Sequence, residues 1–318
     1  MAAEPKTIWT QEQAKDIAPP GAYEATACPA CGESRGEAIF AEECEGVPIA
    51  IRICASCGLG YSTPRPTEAY KVERYARWAQ SETRLQAEAH FDHRQQLRHF
   101  DLYKNAMREF DRRIGRGRLL DVGCAGGLFL AMAAVYASDH NAGFNSRYQP
   151  EGAAFDPGEA ELARRVAGVP VYRIAELSRV ESGRYDGITL LNVLEHVNRP
   201  VDLLRELRRL LRPGGALIVI VPNNTMAFWK QRRGVGRRQE SFAANEHILH
   251  FRPAPLQRLL RQTGFTRVAI KAPHLEQVYG SLVPAPAKQR AKHTAYRVLE
   301  LATAQRVFAY PEIVAVAQ

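Results

Sequence analysis

Leu119-Leu120-Asp121-Val122-Gly123-Cys124-Ala125-Gly126-Gly127-Leu128-Phe129-Leu130 decides the fold of this 318-residue chain. Leu119 to Val122, apolar apart from Asp121, read as a central parallel strand covered on both faces. Gly123, Gly126 and Gly127 allow a tight turn and let a ligand approach bare backbone. The apolar helix that follows offers unpaired N–H groups to an anionic group. A dinucleotide fingerprint, G-x-G-x-x-G, needs glycine at 125 and 128, where the chain has Ala125 and Leu128. The nicotinamide reading is therefore poor. A packing turn in some other α/β protein is the plain alternative.

Strand and helix patterns alternate outward from this turn, which predicts a parallel sheet with helices on both faces. Residues 128–137 read as the first helix, Gly152-Ala153-Ala154-Phe155 as a short strand, and 159–167 as a helix. Val169–Ile174 and Tyr185–Leu191 read as the third and fourth strands. Leu203, Leu204, Leu207, Leu210 and Leu211 form an amphipathic helix stopped by Pro213-Gly214-Gly215, and Ala216–Val221 reads as the fifth strand. The polar segment 138–151 reads as a surface insertion. Upstream, Phe91, Leu97, Phe100, Leu102, Tyr103, Met107 and Phe110 recur at helical spacing, predicting one or two packing helices within 67–113. The tail from Ala272 reads as a polar, partly helical insertion. A final strand over 311–317 is expected to pair with Thr266–Lys271 as the antiparallel edge.

Cys28-Pro29-Ala30-Cys31-Gly32 and Cys54-Ala55-Ser56-Cys57-Gly58 are two CxxCG knuckles, with 22 residues between Cys31 and Cys54. Each turns two thiolates toward one cation. Together Cys28, Cys31, Cys54 and Cys57 supply the four soft ligands of structural zinc. Two disulfides are the alternative, disfavoured in a reducing compartment. Residues 22–63 then read as a small zinc ribbon with a strand at Val47–Ile53, ended by the segment Tyr61–Pro66. Such a unit is too small for a full core, and metal binding supplies much of its folding free energy. Cys44 and Cys124 read as small core or turn residues.

The net charge of +9 permits nucleic acid, phosphorylated substrates or a membrane surface as partners without choosing among them. No run of ~18 apolar residues suggests a membrane span. The polar Met1–Asp16 segment lacks the order of a secretory signal, so a cytoplasmic location is the default expectation.

The stretch Asp121–Gly127 resembles motif I of the class I S-adenosylmethionine-dependent methyltransferases, with Asp121, Gly123 and Gly127 matching and Ala125 in place of the middle glycine. Tyr185–Val197, Leu210–Gly215 and Glu246–Phe251 followed by Leu259–Phe265 resemble later segments of the same family. The resemblance covers roughly residues 117–270. It implies an α/β fold: a Rossmann-like seven-stranded methyltransferase sheet with helices on both faces, here with a small N-terminal zinc ribbon. The expected layout is a ribbon over 1–65, a helical linker or cap over 66–115 and a class I methyltransferase domain over 116–318. Members with this layout often sit in polysaccharide or natural-product pathways.

The resemblance also implies roles. The turn Asp121, Gly123, Cys124, Ala125 and Gly127 would hold the methionine end of S-adenosylmethionine. An acid at the end of the second strand would accept both ribose hydroxyls. Asp156 is that acid, although it lies 29 residues after Gly127 rather than about 20. Its plainer role is to cap the next helix. Glu176 and Leu177 would lie near adenine, and Asn192 would line the pocket near the sulfonium.

A base helps when the acceptor is a hydroxyl. His196 follows the fourth strand at the edge where ligands bind in open α/β sheets. His247 is a second candidate and His250 a weaker one, each with a structural role as the alternative. The segment Asn223–Arg238 combines aromatic side chains with five cations and reads as a loop gripping an anionic acceptor, such as a nucleotide-linked or phosphorylated sugar; a solvated basic loop is the bland alternative. The expected activity is methyl transfer to a hydroxyl of a sugar, nucleotide-sugar or natural-product intermediate. An RNA methyltransferase is the alternative, disfavoured because Phe40 is the one aromatic between the knuckles. A non-catalytic binding protein of the same fold is a third reading, against which the intact glycine turn and Asp156 argue.

Overall fold

The computed structural model describes residues 17–79, 93–136, 147–234, 242–273, 287–302, 308 and 310–318. Seven strands build one sheet: β6 (Gly117–Val122), β7 (Tyr148–Ala154), β8 (Val171–Arg173), β9 (Tyr185–Leu191), β10 (Leu211–Pro222), β12 (Val268–Lys271) and β13 (Glu312–Ala317). Their order is β12-β13-β10-β9-β6-β7-β8. β10, β9, β6, β7 and β8 pair in parallel, and β13 runs against both its neighbours. The Rossmann-like methyltransferase sheet read from the sequence is therefore present. The chain crosses sides between β6 and β9, so the carboxyl ends of these strands border the crevice where open α/β sheets bind ligands.

Both faces of the sheet are buried, as the apolar strands require. Leu120, Ile188 and Val219 share one core with Leu204 and Leu207 of α5 (Pro200–Leu210). Leu119 and Ile218, one residue out of phase, share the other with Phe110 of α2 (His93–Arg113) and Phe129 of α3 (Leu128–Tyr136). Period-two alternation on a sheet covered twice explains why these strands carry no polar face.

Three expectations need correction. The second strand starts at Tyr148, not at Gly152, and takes in Pro150, which pairs with Leu119. Pro150 shares the orientation of Gly152, whose N–H reaches Pro170 on the β8 side. β8 itself pairs with Gly152–Ala154, so a missing N–H at Pro150 breaks no ladder bond. The final strand does pair with Val268–Lys271, but it also pairs with β10, which puts it inside the sheet and leaves β12 at the edge. The segment after β10 is not a loop: Thr225–Arg233 is a helix, α6, with Gly234 as its left-handed C-cap.

The N-terminal part folds around β2 (Gly36–Cys44), β3 (Val47–Cys54) and β4 (Gly60–Thr63). Tyr61–Thr63 thus belong to a ribbon strand instead of ending it. β1 (Tyr23–Glu24) pairs with β5 (Arg65–Pro66) beside them. The three-stranded sheet gains a fourth strand from far along the chain, because β11 (Leu249–His250) pairs with β4. Phe228 of α6, Phe242 and Ala244 pack with Ile49, Ile51 and Ile53 of β3, so the methyltransferase part supplies much of the core that the small sheet lacks. α1 (Glu68–Ala79) and α2 confirm the helices expected within 67–113. Phe91, Arg237 and Arg238 lie outside the described residues. Among the described residues no helix is long and apolar enough to cross a membrane.

Candidate active site

The glycine turn begins where β6 ends. The N–H groups of Gly123 and Cys124 both donate to the carbonyl of Ala153, at 2.7 and 3.2 Å, which ties the turn to the end of β7. Gly123 has φ +78°, and a Cβ there would stand 2.4 Å from Cγ2 of Val193. Gly127 has φ +83°, and its Cβ would stand 2.8 Å from Cα of Ala163 in α4 (Pro157–Ala167). Both positions therefore require glycine for conformation and for space. Ala125, where the family pattern has glycine, is also left-handed at φ +43°. Beneath the turn, Asp121 is buried and accepts a hydrogen bond from the Thr189 hydroxyl at 2.7 Å. Burial pushes its carboxyl up to about 7. Burial likewise pushes the Cys124 thiol up to about 12.

Asp156 lies three residues beyond Ala153, at the same edge. Its Oδ1 accepts the Glu159 N–H at 3.0 Å and caps α4, so the plain role is occupied by one carboxylate oxygen. Glu176 and Leu177 fall in a 3-10 turn, Ile174–Arg179, after β8. Glu176 is turned back on Arg173, whose N–H and guanidinium it accepts at 2.9 and 3.1 Å. Those bonds hold its carboxyl below the usual range. The Leu177 side chain is buried in the core on the α5 face.

The turn after β9 carries the densest chemistry. Asn192 is left-handed at φ +55°, and its N–H donates to Ile220 across β10 at 2.9 Å. Its Oδ1 is buried without a hydrogen-bond partner among the described residues. Glu195 and His196 follow in a 3-10 turn, Leu194–His196. Glu195 is 1% exposed, and neither carboxylate oxygen has a hydrogen-bond partner among the described residues. Burial pushes it up to about 8. His196 Nδ1 lies 2.9 Å from the Glu246 carbonyl, and its ring packs edge-on against His247 with centroids 4.8 Å apart. Burial lowers His196 to about 3 and His247 to about 4, so both rings are neutral near pH 7. The structure thus brings the two candidate histidines together. It sends His250 elsewhere, toward the small sheet, with Nε2 3.2 Å from Ser62 Oγ.

Two anchors fix this turn to the N-terminal part. Lys71 Nζ donates to the His196 carbonyl and to Asn198 Oδ1, both at 2.6 Å. Asn198 donates to Pro66 at 2.9 Å, and Arg65 donates to the Asn198 carbonyl at 2.7 Å. Cys28, Cys31, Cys54 and Cys57 converge with all four sulfurs within 4.8 Å of one another. The Cys28–Cys57 and Cys31–Cys54 pairs are each 3.5 Å apart, close to the ~3.8 Å edge of a tetrahedron with 2.3 Å metal–sulfur bonds. Gly32 and Gly58 close the knuckles by donating to the Cys28 and Cys54 carbonyls. Of the basic segment, Arg232 is paired with Glu37 of β2, and the Arg233 guanidinium sits 5.6 Å from the Trp229 ring centre.

Glu195, Thr189 and Lys71 escaped the sequence reading as site residues. For Glu195 the signal was its place beside His196; nothing in the sequence marked the other two.

A family described as "Methyltransferase domain" matches residues 91–270. Over 110 residues the chain is 31% identical to the ubiquinone biosynthesis O-methyltransferase of Dechloromonas aromatica, covering 33% of this chain and 44% of that protein. Over 112 residues it is 37% identical to the protein of the same name from Marinobacter nauticus, with the same coverage. The chain spans under half the length of these relatives. Among solved structures it is similar to an S-adenosylmethionine-dependent methyltransferase from Archaeoglobus fulgidus, with 15% identity, 74% of this chain, 99% of that one and a TM-score of 0.45. It is also similar to 1,6-didemethyltoxoflavin-N1-methyltransferase from Burkholderia thailandensis, with 17% identity, 85% and 94% coverage and a TM-score of 0.44. A family match over more than half of its length, on a seven-stranded sheet of the order described above, makes this chain a member of the methyltransferase-domain family.

Proposed function

We propose that the chain transfers a methyl group from S-adenosylmethionine to a hydroxyl of a small molecule, a sugar or natural-product intermediate. The observation that carries this reading is the gathering of the glycine turn, Asp156 and the Asn192–His196 turn along one carboxyl edge, with Val193 seated against Gly123. The residues fit the cofactor: a cradle that any Cβ would fill, and a buried Asn192 oxygen with no protein partner. Bound there, S-adenosylmethionine supplies an electrophilic methyl on a good leaving group.

The protein's share is alignment and proton handling. Gly123, Cys124, Ala125 and Gly127 hold the methionine end, with Asp121 and Thr189 bracing the turn from below. Asp156 takes the ribose hydroxyls with the oxygen not used in its cap. Asn192 faces the sulfonium side with a carbonyl, which a cation tolerates. Glu176 and Leu177 bound the adenine end through their backbone, since one side chain is on Arg173 and the other is in the core. His196 and His247, neutral near pH 7, manage the proton of the acceptor. The names of the two curated relatives described above, both O-methyltransferases matching about a third of this chain, support oxygen as the nucleophile.

The four cysteines fit a structural zinc, which would staple the ribbon over residues 1–65 internally, ahead of the helical segment 66–115 and the methyltransferase domain over 116–318. The RNA reading loses support, because Phe40 packs on Phe242 at 5.0 Å instead of standing free as a stacking platform. Arg232 and Arg233 are exposed, the first paired with Glu37 and the second beside the Trp229 ring, so α6 adds no specific support for an anionic acceptor. The test is a screen of purified protein with labelled S-adenosylmethionine against hydroxylated small molecules, nucleotide sugars and small RNAs, read by mass. A methylated hydroxyl compound supports the reading; labelled RNA alone, or no binding of the methyl donor in calorimetry, overturns it.

A further inference from the structure

Besides the four cysteines, one other group of metal-ligating side chains converges among the described residues. A carboxylate oxygen of Glu195 and ring nitrogens of His196 and His247 all lie within 4.8 Å of one another. Three features set this cluster apart from a chance meeting of polar residues.

The first is the state of Glu195. A carboxyl that is 1% exposed and whose two oxygens have no hydrogen-bond partner among the described residues is an expensive arrangement for a fold to keep. The nearest cationic candidate, His196 Nε2, is 4.0 Å away, beyond hydrogen-bond reach. A cation at this point would satisfy both oxygens.

The second is the state of His196. The Glu246 carbonyl can only accept, so the hydrogen bond at 2.9 Å places the proton on Nδ1. Nε2 then keeps its lone pair and faces Glu195. A histidine whose far nitrogen is held by a carbonyl while the near one is left bare is how proteins orient an imidazole toward a metal. His247 follows Glu246 directly, so the backbone that orients one ring also carries the other.

The third is rigidity. Lys71 holds the His196 carbonyl, and the His196 N–H donates to Val193. The His247 N–H donates to Ala243 at 2.8 Å, and Ser62 Oγ reaches the His247 carbonyl at 3.4 Å. The ligands thus come from segments whose backbone is held by hydrogen bonds, with ligand atoms already within 4.8 Å of one another.

We propose that Glu195, His196 and His247 bind a divalent first-row transition cation that presents the acceptor hydroxyl to the methyl donor. Two imidazoles and one carboxylate suit Mn2+, Fe2+, Co2+ or Zn2+, and three protein ligands leave further coordination positions for an acceptor oxygen. An acceptor oxygen entering such a position loses its proton to solvent more readily. Its lone pair then forms the new O–CH3 bond as the S–CH3 bond breaks, and the sulfonium leaves as a neutral thioether. The two histidines act through the ion, not as free bases. This inference rests on the carboxyl edge being the methyl-transfer site.

The test reads metal binding apart from activity. Full-length protein with its cysteine site filled with zinc, verified by elemental analysis, is titrated with Mn2+ and followed by electron paramagnetic resonance. Mn2+ is chosen because thiolates hold it poorly. The expected result is one bound Mn2+ per chain, with electron spin-echo modulation from imidazole nitrogen in the wild-type protein. Glu195→Gln, nearly isosteric, should weaken Mn2+ binding at least tenfold, and His247→Asn should do the same with loss of part of the nitrogen modulation. Absence of bound Mn2+ in the folded wild-type chain, or bound Mn2+ without nitrogen coupling, overturns the proposal, and neither result depends on a variant that folds. S-adenosylmethionine calorimetry on the same samples separates the two readings: donor binding without Mn2+ binding removes the metal alone, whereas loss of donor binding removes the proposed function.

Discussion

Replacing Gly123 by alanine tests the contact that joins the glycine turn to the Asn192–His196 turn. Two costs are separable. Holding alanine at φ +78° costs about 1–2 kcal/mol. Driving its Cβ to 2.4 Å from Val193 Cγ2 forces the neighbour aside and costs about 1–3 kcal/mol as overpacking. Together Gly123→Ala should lose about 2–5 kcal/mol of stability. Val193→Ala removes both offending methyls, at 2.4 and 3.1 Å, and alone costs roughly 1.5 kcal/mol of apolar burial. In the Val193→Ala background the Gly123→Ala cost should shrink to the conformational part. The double-mutant cycle in urea unfolding should therefore show a coupling of about 1–3 kcal/mol. Donor affinity, by calorimetry, should fall in Gly123→Ala and recover in part in the double variant. Additivity within about 0.5 kcal/mol would refute the reasoning, because it would mean that the two turns do not touch in solution.

Other outcomes follow from the same geometry. Asp121 keeps its proton in the folded chain up to about pH 7, while its unfolded carboxyl loses it near 3.8. Stability should thus fall as pH rises through that window, by on the order of 2–4 kcal/mol, and Asp121→Asn should flatten the profile measured by denaturant unfolding at several pH values. Asp156→Asn should keep the α4 cap and its helix while weakening donor binding in calorimetry. Asp156→Ala should in addition lose about 1 kcal/mol of stability. Cys54→Ser should lower the thermal midpoint and turnover together while leaving donor affinity little changed, since the ribbon reaches His250 and not the glycine turn; unchanged turnover in that variant would sever the link between ribbon and site.

Much of the sheet was legible because its strands are short apolar runs ended by glycine turns, and Tyr185–Leu191 matches its predicted bounds. What escaped detection has physical causes. Pro150 reads as a breaker, yet it is harmless where no neighbour needs its N–H. α6 does carry end signals, with basic residues in its last turn and Gly234 after it, but its apolar residues Met226–Trp229 form one run without helical periodicity. The interior place of β13 is set by pairing between distant segments, which periodicity does not encode. At the site, Asp156, Asn192 and His196 were visible as polar residues at or just after predicted strand ends, and His247 as a second candidate base. Glu195 escaped as a site residue, because its burial and its empty hydrogen-bonding capacity among the described residues exist only in three dimensions.

The pairing of β11 with β4 has a consequence for synthesis. Ser62 and His250 are 188 residues apart, so while the chain is being made the small sheet stands with one flank open until the second partner has left the ribosome. An unpaired flank is a template for neighbouring nascent chains. A shortened chain ending before Leu249 should therefore clump even with its cysteines loaded, and the first module to be translated is among the last to be completed.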